Sequence, residues 1–541
     1  MRLSHRASFL VVPKILLKNA HVYSASGVFR RGTLLISGGR IEAVVPDDPA
    51  APGDAASPGG KRSTDPASAV DSQGADATSS SAMDLEGGYV LPGFVDTHLH
   101  LTSMALKSLR CDLAGAISAG DVRDRLAAWS RGVDAPHVMG VEWDESEWED
   151  AAYPTREALD AVDAKRPVLA RRICGHVGVA NTVLLSRLGE LAAGLDARLV
   201  DSASGLLREH ALWEAGRLCA PDAGRLAAGF EDAIRELHAL GITAIHDIVG
   251  TDKLDAYLKG IAASRAPLRI DMLLVTEPRD FLRFRKVVEE KGIEDLRLVG
   301  IKCFLDGSLG GQTAALNRPY EASGDSGVLL IDSDGLRDTL RQCYDNDFMC
   351  AMHAIGDRAI DQAMDALSGL PRTATHFRLE HCEVVGTRQL DALKEAPVFL
   401  SLQPNFVRKW GGPGGLYVRR LGAGRHARMN PFRTLLEAGV NFVFGSDGMP
   451  PGPLYGLRGA THHPIERERL TPGEAIDRYT RIPYTVGAHQ RRAGVLEAGQ
   501  RADLVVLDKN PLEADVESVQ VLRTMIAGRF VTPRATGKEG L

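Results

Sequence analysis

Two histidines one residue apart close the segment Gly93-Phe94-Val95-Asp96-Thr97-His98-Leu99-His100. Its apolar core has the composition of a buried β-strand. Alternate strand residues point to one side, so His98 and His100 project together, with Asp96 below them on that side. Paired imidazoles at the C-terminal end of a strand can chelate one metal ion. A bare His-X-His also occurs as two exposed loop histidines. The pair gains weight because Lys302, His353, His381 and Asp447 each sit at the end of a later strand-like run.

Singly, these residues have ordinary structural explanations. His353 could cap packing, His381 could pair in the core with its neighbour Glu380, and Asp447 in Gly445-Ser446-Asp447-Gly448 could be an N-cap or turn residue. Their recurrence at strand ends is what one shared site would produce. Neutral imidazoles with a carboxylate suit Zn2+, with Mn2+ or Fe2+ as alternatives. A bound ion lowers the pKa of its water to about 7 and polarises a scissile carbonyl. Asp447 would accept the water proton and pass it to the leaving group. Lys302 fits less simply, because an ammonium with a pKa near about 10.4 repels a cation. It is neutral through burial, or carries a carboxylate that bridges two metals, or is not a ligand. Strand alternation turns its neighbour Cys303 towards the helix layer, as core filler.

Positioning these groups requires a parallel β/α architecture. Strand and helix signals alternate through the centre, and the strand runs are Phe94–His100, Ile242–His246, Ile270–Val275, Val299–Phe304, Met349–His353, Phe377–His381, Val398–Leu402 and Asn441–Asp447. Eight is the number that a closed (β/α)8 TIM-like barrel needs, and barrel sites lie at the C-terminal ends of the strands. The first interval is too long for one helix, so residues 104–235 read as a large insertion after the first barrel strand, projecting over the mouth. Short strand runs also occur in 14–46, 84–92 and 490–530. A small β domain built from both chain termini and flanking a 93–489 barrel accounts for them. Residues 47–83, nearly free of large apolar side chains, are expected to be a disordered loop.

The 541 residues exceed one ordinary core, so two domains are the natural expectation. A formal charge of −6 gives no sign of nucleic-acid or anionic-membrane binding, and no apolar run reaches membrane-span length. Seven scattered cysteines without Cys-X-X-Cys spacing suggest reduced thiols. Arg2, His5 and Arg6 precede Phe9-Leu10-Val11-Val12, but Pro13 and Lys14 interrupt the run and no small-residue cleavage site follows. The expectation is a short extension on a cytoplasmic protein that meets a small-molecule substrate, with homodimer formation left open.

The sequence resembles the amidohydrolase superfamily, and within it the YtcJ-like branch that includes N-substituted formamide deformylases. The resemblance covers about residues 14–530. It rests on Gly93–His100, Lys302-Cys303-Phe304-Leu305-Asp306-Gly307-Ser308-Leu309-Gly310, His353-Ala354-Ile355-Gly356-Asp357-Arg358-Ala359, Arg378-Leu379-Glu380-His381, Gly445-Ser446-Asp447 and Ala502-Asp503-Leu504-Val505-Val506-Leu507-Asp508. It implies that the terminal β domain is a composite β-sandwich. It also implies that His98, His100 and Asp447 hold one metal, that His353 and His381 hold another, and that a carboxylated Lys302 bridges them.

Segments Gly140–Trp148 and Arg171–Asn181 resemble the branch's substrate-side segments, which makes Trp143, Arg171 and His176 pocket candidates. Trp143 and Trp148 read equally well as packing within the insertion. Asp306 is a further substrate-side candidate, or with Asp144 a hydrogen-bonding scaffold. His246 reads as a pocket wall. Where members often carry Ser-Arg after Gly-Ser-Leu-Gly, this chain has Gly311-Gln312, which argues against an anionic substrate if that arginine touches substrate.

The resulting function is metal-dependent hydrolysis of a non-peptide carbon–nitrogen bond in a small amide or N-substituted formamide. A deaminase or cyclic-amide hydrolase on the same barrel is one alternative, against which Lys302 argues. A catalytically inactive metal-binding scaffold is another, against which Asp447 argues.

Overall fold

A computed structural model describes residues 14–47, 81–150, 152–191, 197–321, 323–371, 376–486 and 493–532. Eight strands form its centre: β1 (Phe94–Leu99), β2 (Ile242–Gly250), β3 (Arg269–Val275), β4 (Leu296–Phe304), β5 (Met349–Ala354), β6 (Phe377–His381), β7 (Val398–Leu402) and β8 (Phe442–Phe444). Each pairs in parallel with the next in chain order. The ring closes where the end of β8 reaches β1. There Asp447 N donates to His98 O at 2.7 Å, and Ser446 N to Asp96 Oδ1 at 2.9 Å.

Closure depends on a glycine. A Cβ on Gly445 would fall 2.5 Å from His98 N, so only glycine lets the two strand ends approach this closely. The barrel strands are buried on both faces, as a parallel sheet covered by helices must be. The outer faces meet amphipathic helices, such as Ser333–Asp345, whose Leu336, Leu340 and Cys343 join the core around Ile301, Cys350 and Leu379. Asp332 caps that helix, its Oδ1 accepting from Gly335 N at 2.8 Å. Cys303 packs beside Cys350 with sulfurs 3.7 Å apart, and all seven cysteines are free thiols.

The segment between β1 and β2 has its own six-stranded sheet between Cys111 and Arg208 and its own core, including Leu126, Val138, Trp143 and Val168. Strands from both chain ends form a third sheet of eight strands around Leu17, Leu34, Ile36, Val90, Leu504 and Met525. A buried Arg269–Asp503 ion pair, 3.1 Å, ties that sheet to the barrel.

Two expected boundaries shift. Within the expected loop 47–83, residues 48–80 lie outside the described residues, but Ser81–Asp84 is a strand parallel to Ile15–Lys18. Backbone pairing, beginning with Ser81 N to Lys14 O at 3.0 Å, makes it a strand without an apolar pattern. The last barrel strand ends at Phe444, three residues before Asp447. Among the described residues, no helix is long and apolar enough to cross a membrane.

Candidate metal centre

The strand ends bring all six candidate ligands to one cavity of about 410 Å3, lined by His98, His100, Lys302, His353, His381 and Asp447. Ligand atoms of His98, His381 and Asp447 lie within 4.8 Å of one another. Asp447 Oδ1 is 3.1 Å from His100 Nε2 and 3.7 Å from His98 Nε2. The His98 and His381 rings are 4.8 Å apart between centroids, and the His381 and His353 rings 4.4 Å.

Strand alternation does not aim all of these groups. Glu380 and His381 are consecutive yet both face the barrel interior, because His381 has φ +76°. Asp447 likewise sits at φ +56°, beyond the end of β8. Left-handed backbone at a non-glycine residue costs on the order of 1–2 kcal/mol, and at both residues it turns a ligand inwards.

Each buried imidazole has one nitrogen fixed and one left for a ligand. His98 Nδ1 donates to Glu380 Oε2 at 2.6 Å, His381 Nδ1 to Gln403 Oε1 at 2.8 Å, and His353 Nε2 to Gly307 O at 3.1 Å. This is the support that metal-binding histidines normally have. Glu380 also accepts from Arg378 Nε, and Arg378 Nη1 donates to His246 Nδ1 at 2.8 Å. His246 is therefore buried inside the barrel below the rim, not a pocket wall. Glu380 serves His98 across the barrel and not its neighbour His381. Asp96 accepts from Ser446 Oγ and from His98 N, linking β1 to the turn that carries Asp447.

The electrostatics suit metal ligation. Burial, with His381 and His176 nearby, holds His353 well below the ordinary imidazole range, and burial next to His98 does the same for His381. Both are then neutral at pH 7, the ligating form. Burial pushes the Asp447 carboxyl up, but His98 and His100 outweigh it and hold it well below the usual carboxylate range. Burial pushes the Lys302 ammonium down to about 8. Lys302 Nζ has no hydrogen-bond partner among the described residues and lies 5.3 Å from the centroid of the Phe304 ring.

The substrate-side candidates divide. Arg171 and His176 line the cavity, with Trp213 and Phe304 as an apolar wall. His176 Nδ1 donates to buried Glu209 at 2.7 Å; although burial opposes it, Glu209 pushes the imidazole up to about 9. Trp143 does not line the cavity. It is fully buried against Trp148 and Tyr153, because a register shift with left-handed backbone at Glu142 (φ +77°) breaks the alternation and turns it away from Val141's side into the insertion's own core. Asp306 does not line it either. Its carboxylate accepts from Ala315 N, Ile355 N and Gly356 N at 2.8–3.0 Å, binding the loops after β4 and β5 together. Asp144 is scaffold as well, bonded to Arg172 at 2.7 Å and to Trp410 Nε1 at 2.8 Å. Behind the Glu145–Arg172 ion pair lies a larger cleft of about 580 Å3, which contains none of the rim groups.

Four imidazoles, a lysine and a carboxylate gathered at the C-terminal rim of a parallel eight-stranded barrel define a metal-dependent hydrolase. The chain belongs to the amidohydrolase family, whose model matches residues 81–532. It is 28% identical over 493 residues to YtcJ of Bacillus subtilis, covering 83% of this chain and 90% of that protein. It is 25% identical over 501 residues to the N-substituted formamide deformylase of Arthrobacter pascens, covering 84% and 90%. Its fold matches an uncharacterized metal-dependent hydrolase from Pyrococcus furiosus with a TM-score of 0.68 and 27% identity, covering 92% of this chain and 100% of that one. It is a hydrolytic enzyme of the YtcJ-like branch.

Proposed function

We propose that the chain hydrolyses a non-peptide carbon–nitrogen bond of a small amide or N-substituted formamide. The observation that carries this reading is Asp447, an ionised carboxylate at the cavity floor within 3.1 Å of His100 and 3.7 Å of His98. The donor set fits divalent ions, because each buried imidazole keeps one nitrogen free. His98, His100 and Asp447 would hold one ion and His353 and His381 a second, with zinc the first choice and manganese or iron the alternatives. The unpartnered Lys302 amine, pushed towards its neutral form, is suited to adding CO2 to give a bridging carboxylate. Once bound, such ions supply Lewis-acid activation of water and of the scissile carbonyl.

Asp447 takes the proton of the attacking water and returns it to the departing nitrogen. His176, oriented by Glu209, donates its second N–H to the carbonyl oxygen as charge develops there. The Asp144–Arg172–Glu145 cluster holds the insertion wall in place behind the substrate. We also read the terminal sheet, which encloses its own core, as a β-sandwich domain beside the 93–489 barrel. The free thiols support a cytoplasmic location.

The test is turnover by zinc- and manganese-loaded protein on matched N-formyl, N-acyl and cyclic amides. Hydrolysis of the acyclic amides supports the reading. Turnover confined to cyclic amides or aromatic amines would replace it with one of the alternatives.

A further inference from the structure

The cavity wall opposite the rim is strongly cationic, and its charges are poorly matched. Arg171 and Arg110, both contributed by the insertion, line the same cavity as the six rim groups. Among the described residues, neither side chain makes a hydrogen bond or an ion pair within 4 Å. Of the other Lys and Arg side chains that line this cavity, three are engaged and Lys302 belongs to the rim: Lys409 pairs with Glu147 at 3.1 Å, Arg172 with Asp144 and Glu145 at 2.7 Å, and Lys107 with Glu236 at 3.9 Å. Two acids stand on the same wall: Glu236 is taken up by Lys107, and Glu142 alone faces both the Arg110 and the Arg171 guanidinium groups.

Arg110 is 8% exposed, and its neighbours include Arg171, whose like charge acts against it. A buried cation without a bonded partner is unfavourable, and the deficit is relieved when an anion completes the pair. Planar guanidinium forks match a carboxylate in charge and in shape. The Gly311-Gln312 dipeptide, where an arginine is common, argues against an anionic substrate only if that arginine touches substrate; here the insertion supplies two arginines instead.

Resting on the hydrolase reading above, we propose that the substrate is an amide bearing a carboxylate, which docks on Arg171 and Arg110 while its scissile bond reaches the rim at Asp447. The aromatic pair Trp213 and Phe304, with ring centroids 4.8 Å apart, forms the apolar wall along which the intervening part of such a molecule would lie.

The test has a kinetic arm and a binding arm. In the first, metal-loaded enzyme hydrolyses N-formylphenylalanine and its hydroxymethyl counterpart N-formylphenylalaninol. The carboxylate is expected to be favoured in kcat/KM by about 10–100-fold, and Arg171→Met and Arg110→Met to bring that ratio towards one, chiefly through KM. In the second, calorimetric titration with 3-phenylpropionate, which needs no turnover, should show binding weakened about tenfold or more in Arg171→Met, with Arg171→Lys intermediate. Equal use of the two amides, or equal 3-phenylpropionate binding by wild type and Arg171→Met, would overturn the docking proposal and leave the hydrolase reading standing. Arginine-dependent binding without turnover of any amide would support the docking site and count against the hydrolase reading.

Discussion

Replacing Glu380 with glutamine tests how the barrel interior supports the rim. Glu380 accepts from His98 Nδ1 at 2.6 Å and from Arg378 Nε, and all three side chains are at most 1% exposed. Among the described residues Arg378 has one other bonded partner, His246 Nδ1 at 2.8 Å, which carries no negative charge when it accepts. Glutamine keeps the shape and removes the only carboxylate bonded to this guanidinium among the described residues. Its NH2 would also face a donor on one side or the other. Breaking a buried pair in this way costs about 3–5 kcal/mol, and loss of a carboxylate behind a metal-binding histidine costs about 10–100-fold in metal affinity. Urea unfolding of the metal-free proteins at pH 7 measures the first effect, and chelator competition the second. Burial pushes the Glu380 carboxyl up, but Arg378 and His98 hold it well below the ordinary range. Its stabilisation is therefore complete above the unfolded value of about 4.3 and fades only as pH falls through the lower native value. A stability loss under about 1 kcal/mol, with metal affinity within about threefold of wild type, would refute the reasoning.

Three further outcomes follow from named contacts. Asp447→Asn should lower kcat by about 10^2–10^4-fold with unchanged circular dichroism, and unchanged turnover would exclude it as the proton carrier. Gly445→Ala places a methyl group 2.5 Å from His98 N, so β1 and the Asp447 turn must separate; about 1–3 kcal/mol of stability and at least about tenfold in kcat should be lost, as denaturation and steady-state rates would show. Glu474 is bonded to Arg433 at 2.6 and 2.8 Å and caps the helix behind β8; although burial opposes it, these bonds bring its carboxyl down to about 2. Glu474→Gln should therefore cost on the order of 1–2 kcal/mol at pH 7, with the difference vanishing as pH falls from about 4.3 towards 2 in acid-unfolding curves.

Much of this site was legible because period and spacing report it directly. His98-X-His100 on an apolar strand, and ligand-type residues at the ends of later strand runs, follow from alternation and the β/α repeat. The placement of His381 and Asp447 was legible only in part. Both reach the cavity through left-handed backbone, and alternation alone would have turned His381 away from Glu380's side. The support network was hidden for another reason. Glu380 with His98, His176 with Glu209, and Arg172 with Glu145 join residues far apart in sequence, and nothing local marks such partners. Trp143 and Asp306 show the opposite limit. Their residue types suit recognition, but whether a strand faces its own core or the cavity depends on packing between sheets, which residue type does not encode.

Metal content measured beside turnover, before and after chelation, tests the central claim most directly. The geometry of the rim predicts about two divalent ions per chain, loss of amide hydrolysis when they are stripped, and its return on adding zinc or manganese. Stripped protein that hydrolyses its substrate at the full rate would contradict it.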